Sequence, residues 1–123
     1  MALANKVMGG GVPAGMALAL LGDVGTGITT AGTVISTATD LTAAFNVIGT
    51  SAAASGVQLP AAAMIGDSVF VYNGGANYCY VYPDSASGFI NQLAAGVGAI
   101  LQVNTGCYFY KITSLRWYAL LSA

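Results

Sequence analysis

Histidine and glutamate are absent from the sequence, and charged side chains make up only 6% of its residues. Without histidine, this chain has neither a histidine general base nor a histidine metal ligand. Its few basic residues cannot neutralise the roughly six to ten phosphates of a typical DNA footprint. We therefore expect no nucleic-acid partner, no cofactor and no enzymatic activity.

Long apolar runs are also absent. A membrane-spanning helix needs about 20 consecutive, mostly apolar residues. The most apolar uncharged stretch, residues 7–22, contains five glycines and a proline and is therefore a poor helix former. We expect no membrane partner.

What remains is an apolar composition, with 56% hydrophobic residues and 17 glycines. The surface must therefore consist largely of Ala, Gly, Thr, Ser, Asn and Tyr. With a net charge of −1, a free monomer would have little electrostatic repulsion to keep it in solution. We expect much of the surface to be covered by other protein chains, and the protein itself to be a homo-oligomer, either a dimer or a trimer.

Residues 1–25 are interpreted as an extended N-terminal arm with a glycine hinge at residues 9–11. Lys6 followed by the apolar residues 12–21 resembles a weak secretory signal, but Pro13 and Gly15 interrupt the apolar core, so we expect the segment to be retained. The arm carries one charged residue besides Asp23 and a series of apolar side chains suited to anchoring on a partner. These candidate interface residues are Leu3, Val7, Met8, Val12, Met16, Leu18, Leu20 and Leu21.

Residues 26–123 are predicted to form an all-β domain, a β-sandwich or jelly-roll-like fold of about eight short strands. Runs of β-branched and aromatic residues recur every 8–12 residues or so, with turn residues between them. The clearest unit is a predicted hairpin, with strands at 68–72 and 78–82 joined by the Asn-Gly-Gly-Ala-Asn loop at 73–77. No convincing internal repeat is visible.

Strand alternation places Tyr78, Tyr80 and Tyr82 on one face and Cys79 and Val81 on the other. Tyrosine combines apolar area with a polar hydroxyl and is enriched at interfaces. We therefore interpret the aromatic residues of the strands as part of a subunit interface and core; the set comprises Tyr72, Tyr78, Tyr80, Tyr82, Tyr108, Tyr110, Trp117 and Tyr118. A face that stacks on sugar rings is the alternative.

The remaining candidates for chemistry are few. Cys79 and Cys107 either form a disulfide or are buried free thiols, and we expect the second because free cysteine is among the most buried residue types. The four aspartates are typical of turns, where their side chains bond to nearby backbone. A small hydrolase with a Ser–Lys pair that uses Lys111 is a further alternative, but no known spacing supports it.

Several segments resemble small structural proteins of tailed bacteriophages and prophages, of the head decoration (capsid cement) class. The resemblance lies in residues 57–62, 66–77, 81–83 and 117–121, with a similar start at 8–13. It covers about residues 40–123 and consists of packing and turn motifs.

The resemblance implies a virion protein with a β-sandwich or jelly roll, made in the cytoplasm of a host bacterium and bound to the capsid surface. Its partner would be the major capsid protein. A head-fibre, tail or receptor-binding module that binds glycans through the tyrosine face is the alternative within the same particle.

Overall fold

The computed structural model describes residues 24–121, so that residues 1–23 and 122–123 lie outside the described part. The described chain is all-β, and its helical structure is limited to one 3-10 turn at Ile35–Thr37. The ten strands are β1 (Val24–Thr29), β2 (Thr39–Asp40), β3 (Phe45–Thr50), β4 (Gly56–Gln58), β5 (Ser68–Asn73), β6 (Cys79–Tyr82), β7 (Phe89–Ile90), β8 (Ala99–Leu101), β9 (Gly106–Lys111) and β10 (Arg116–Leu121).

The strands form two sheets, in the orders β1-β3-β5-β9-β10-β7 and β2-β4-β6-β8. The first six strands alternate between the sheets and stack in parallel, β1 on β3 on β5 and β2 on β4 on β6. Each pair of successive strands therefore makes one coil of a β-solenoid-like stack. We call these coil 1 (β1 and β2), coil 2 (β3 and β4) and coil 3 (β5 and β6).

Antiparallel strands complete both sheets beyond coil 3. In the six-stranded sheet β9 pairs with β5 and β10 pairs with β9, while β7 lies parallel to β10. In the four-stranded sheet β8 pairs antiparallel with β6. The all-β class and the two-layer arrangement are confirmed. The strand order is solenoid-like in coils 1 to 3, because parallel stacking replaces the antiparallel pairing that a jelly roll would have.

The predicted hairpin at residues 68–82 is wrong. Its strands β5 and β6 belong to different sheets, and residues 74–78 form the corner between them. Gly75 is needed there for close approach rather than for a hairpin turn, because a Cβ atom would lie 2.6 Å from the backbone nitrogen of Ser51 in the coil below. The Asn77 side chain also donates to the Ser51 carbonyl at 2.9 Å. Stacking between coils therefore determines the path of the chain here.

The core lies between the two sheets and is built from inward-facing strand residues. Trp117 and Phe109 are its largest members and are at most 1% exposed. Cys79 and Val81 face this core, as the alternation predicted, and Cys107 does so from the opposite sheet. Val24 and Gly25, the last two residues of the predicted arm, form the start of β1.

Candidate interaction surface

An aromatic row crosses the outside of the six-stranded sheet. Strand register aligns Phe45 with Phe70, Phe70 with Tyr108 and Tyr108 with Leu120. The Phe70 ring lies 4.7 Å from that of Phe45 and 4.6 Å from that of Tyr108, measured between centroids. Phe45 is 39% exposed, Tyr108 41% and Leu120 59%. The row is therefore a continuous apolar strip that the described chain leaves open.

A second row beside it contains Tyr110 and Tyr118, which pair across β9 and β10. Tyr110 stacks on Tyr108 with centroids 6.3 Å apart. We call the side chains of Phe45, Phe70, Tyr108, Tyr110, Tyr118 and Leu120 the outer face. Within residues 24–121, the charged residue whose side chain lies on this side of the strands is Arg116. It is at the rim of the outer face, where its guanidinium carbon lies 4.5 Å from the centroid of the Phe89 ring.

The predicted tyrosine face lies on the other sheet. Tyr78 precedes β6 and packs edge-on against Tyr80 at 6.0 Å, and Tyr80 lies 6.1 Å from Tyr82. Tyr78 and Tyr80 are half-buried. Tyr82 is 6% exposed and its hydroxyl donates to the Thr33 carbonyl at 3.3 Å, so it contributes mainly to packing.

The structure thus brings together Tyr78, Tyr80 and Tyr82, and it places Tyr108, Tyr110 and Tyr118 of the predicted aromatic set on a separate, larger surface with Phe45, Phe70 and Leu120, which strand patterns alone did not indicate. Alternation in residues 45–48 and 107–112 indicates one outward side for each strand. Alternation does not show which strands are neighbours in the sheet. The outer face contains residues from four separate strands, so it could be recognised only from the structure. The predicted arm residues Leu3, Val7, Met8, Val12, Met16, Leu18, Leu20 and Leu21 lie outside the described residues.

A buried polar cluster lies at the end of β9. The Lys111 ammonium donates to a carboxylate oxygen of Asp84 at 2.5 Å and to the Ala63 carbonyl at 3.0 Å. The other Asp84 oxygen accepts from the Trp117 indole at 3.2 Å. The side chains of Lys111 and Asp84 are 10% and 7% exposed. These contacts give both buried charges hydrogen-bond partners, and they connect β9 and β10 to the segment after β6.

Of two other aspartates, Asp67 lies in a turn, as predicted, whereas Asp40 belongs to strand β2 rather than to a turn. Asp67 accepts a hydrogen bond from the Met64 backbone at 2.8 Å in the turn before β5. Asp40 is exposed at the end of β2. Among residues 24–121 there is no group of three or more His, Cys, Asp or Glu side chains close enough to hold a metal ion.

Cys79 and Cys107 are buried and unpaired with each other, as predicted. Burial raises the pKa of each thiol to about 11. We expect both to be inert towards a thiol reagent at pH 8 in the folded protein, because access is blocked and the thiolate fraction is roughly 100-fold below that of an ordinary cysteine. Mass spectrometry after alkylation should show two adducts only when denaturant is added, and native labelling or a disulfide would contradict this.

Burial of the thiols also predicts a pH dependence of stability. In the unfolded chain the thiols ionise near pH 9, whereas the folded-state pKa is about 11. Above pH 9 the unfolded chain therefore holds fewer protons than the folded one, and stability falls as the pH rises towards 11. Urea midpoints between pH 8 and pH 11 should fall more steeply for the wild type than for the Cys79→Ala/Cys107→Ala double variant, and parallel curves would refute this.

The chain matches no protein-family model, no curated protein and no solved structure. Within residues 24–121, no helix is long and apolar enough to cross a membrane. The case for a function therefore rests on the surfaces described above and on the composition.

Proposed function

We propose that this protein is a structural virion component of the capsid decoration class, which attaches to the major capsid protein through the outer face. The observation that carries the proposal is the continuous, nearly uncharged aromatic strip on the six-stranded sheet. The largest contiguous apolar patch on a protein surface is often a binding site. The resemblance of residues 57–62 and 66–77 to decoration proteins points to the capsid as that partner, and no catalytic role is proposed.

The size of the outer face suggests how attachment would work. Four strands at about 4.8 Å spacing and about 20 Å long give a face on the order of 400 Å². That is below the size usual for one side of a specific interface, about 800 Å². A dimer or trimer would present two or three such faces at once, and linked sites strengthen binding through effective concentration. We therefore propose a homo-oligomer on the capsid surface.

The core supports a mechanical role. Two sheets share one core in which Trp117 is the largest fully buried side chain, and the buried Asp84–Lys111 pair joins the end of a strand to a loop. A rigid body of this kind, bound across neighbouring capsid subunits in many copies, would raise the cost of separating them. The predicted arm offers further apolar anchors, and its part in attachment stays a prediction.

The attachment should depend little on salt. Because the outer face carries charge only at its rim, screening has few charge pairs to weaken. We expect particles that lack the protein to bind added protein equally well at low salt and in 1 M NaCl, as measured by co-sedimentation. Release of the bound protein at 1 M NaCl would show that charge pairs hold it and would contradict attachment through the outer face.

A glycan-binding head-fibre, tail or receptor-binding module is the second candidate. One observation favours it: Tyr80 lines two neighbouring grooves, and the second of these also contains Asn91 and Gln92. An aromatic ring beside amide groups suits a sugar, which stacks on the ring and bonds to the amides. Glycan-array binding that is lost in Tyr80→Ala and kept in Tyr108→Ala would favour this alternative.

A further inference from the structure

Asn73 and Gly74 form the dipeptide from which asparagine side chains deamidate most readily. The backbone nitrogen of the following residue attacks the side-chain carbonyl carbon, and glycine leaves that nitrogen unhindered because it has no Cβ atom. The other asparagines of the sequence are followed by lysine, valine, tyrosine, glutamine or threonine. The predicted hairpin loop therefore begins with the most reactive asparagine of the chain.

The Asn73 side chain is fully buried at the end of β5, and the surrounding backbone binds both ends of its amide group. Its nitrogen donates to the carbonyl oxygens of Asn77 at 2.9 Å and of Leu101 at 3.1 Å. Its oxygen accepts a hydrogen bond from the Gly75 backbone at 3.0 Å. Both hydrogens of the NH₂ group thus have an acceptor and the oxygen has a donor, so the site is complementary to an amide.

The backbone on both sides of this side chain is held in place as well. The Asn73 N–H donates to the Thr105 carbonyl at 2.9 Å, and the Asn73 carbonyl accepts from the Asn104 N–H at 2.8 Å. The N–H of Gly74, whose nitrogen would attack, donates to the Ile48 carbonyl of coil 2 at 2.9 Å. Attack requires that this nitrogen lose its proton and turn towards the side-chain carbonyl carbon. The folded structure opposes both changes, because each would break hydrogen bonds of buried groups.

We propose that Asn73 is a deamidation site that the native fold blocks and that becomes reactive when the corner between β5 and β6 opens. In the opened chain a base removes the proton of the Gly74 nitrogen. This nitrogen bonds to the side-chain carbonyl carbon of Asn73, and the bond from that carbon to the amide nitrogen breaks, so that ammonia leaves. Water then opens the resulting succinimide ring to aspartate or isoaspartate. The net reaction exchanges ammonia for water, and the inference does not depend on the proposed function.

The products of this reaction do not fit the site of Asn73. A carboxylate oxygen in place of the amide nitrogen would face the carbonyl oxygens of Asn77 and Leu101 without a hydrogen to donate. The cations of the described part of the chain, Lys111 and Arg116, are bonded elsewhere, and burial of an unpaired charge is costly. Isoaspartate also adds a methylene group to the main chain and shifts the strand out of register. We therefore expect a reacted chain to refold poorly, which makes the opening irreversible.

Peptide mapping by mass spectrometry on the full-length protein tests whether the fold blocks the reaction. At pH 8 we expect Asn73 to convert at least about 100-fold more slowly in the folded protein than in guanidinium chloride, because only the opened fraction reacts. Gly74→Ala is the matched control and should slow the conversion in denaturant, where its effect on folding does not matter. Equal rates in the folded and the denatured wild type, or no conversion in denaturant, would overturn the proposal.

Refolding of partly converted wild-type protein tests whether the reaction makes opening irreversible. After dilution from denaturant, size-exclusion chromatography separates refolded from unfolded chains, and each fraction is mapped. We expect the acid form of residue 73 to be at least about ten-fold enriched among the chains that fail to refold, because the buried site excludes a carboxylate. An even distribution between the two fractions would contradict the irreversible step.

Two variants place the same chemical change at a buried and at an exposed site. Asn73→Asp should lower the urea midpoint or prevent folding, whereas Asn104→Asp alters an exposed side chain and should unfold like the wild type. Equal midpoints of the two variants would overturn the proposal. The chromatographic test uses the wild type alone, so it still decides if Asn73→Asp does not fold. Neither result bears on capsid attachment.

Discussion

Replacement of Asp84 by asparagine is expected to lower the free energy of unfolding by about 3–5 kcal/mol, since it leaves a buried ammonium without its counter-charge. Lys111 would keep only uncharged partners: the Ala63 carbonyl, the Trp117 ring at 5.7 Å and the amide oxygen of the new asparagine. Both side chains of the pair lie at least nine-tenths out of water, so solvent cannot take over the role of the carboxylate. Urea denaturation of the two proteins measures the difference.

Two further variants test whether the loss of stability comes from the unpaired buried charge. Asp40→Asn removes the same charge from an exposed site and should change stability by no more than about 0.5 kcal/mol. The Asp84→Asn/Lys111→Met double variant should lose less than the sum of its single changes, because it removes the uncompensated charge. If Asp84→Asn were as mild as Asp40→Asn, the cluster would not stabilise the fold as described.

Two carboxylates on the outer face are expected to weaken the proposed attachment to the capsid at least about 100-fold. Tyr108→Glu and Leu120→Glu place them side by side on β9 and β10. Burial of an unpaired carboxylate in an apolar interface is strongly unfavourable, and about 1.4 kcal/mol corresponds to a factor of ten in affinity. Co-sedimentation with particles that lack the protein gives the two affinities.

The matched control for this variant is Met64→Glu/Ile65→Glu. Both residues are more exposed than Tyr108 and lie in the turn before β5, and neither belongs to the outer face. This variant adds the same charge and should bind like the wild type. Equal weakening of both variants would indicate a general effect of charge, and equal binding of all three proteins would exclude the outer face from attachment.

Strand content could be predicted from the sequence, because alternation and β-branched residues report local structure directly. The inward side of β6 and the burial of Cys79 and Cys107 were predicted correctly for the same reason. The pairing of strands could not be predicted in this way. The Asn-Gly-Gly-Ala-Asn sequence is typical of a hairpin, yet Gly75 and Asn77 serve contacts with Ser51 in another coil.

The coil repeat was also hidden from the sequence. Successive coils differ in length, and paired positions match only in part: Phe45 meets Phe70 and Val57 meets Val81, but Ile48 meets Asn73. The outer face is spread over residues 45, 70, 108 and 120, and register alone brings them into a row. The Asp84–Lys111 pair joins a loop to a strand far along the chain, which no local pattern indicates.

Electron cryo-microscopy of the virion, with and without this protein, tests the central claim most directly. We expect difference density in many copies over the outside of the shell, with the outer face of the six-stranded sheet turned towards the major capsid protein. Density confined to the tail or to a fibre, or an outer face turned to solvent on the shell, would contradict the proposed function.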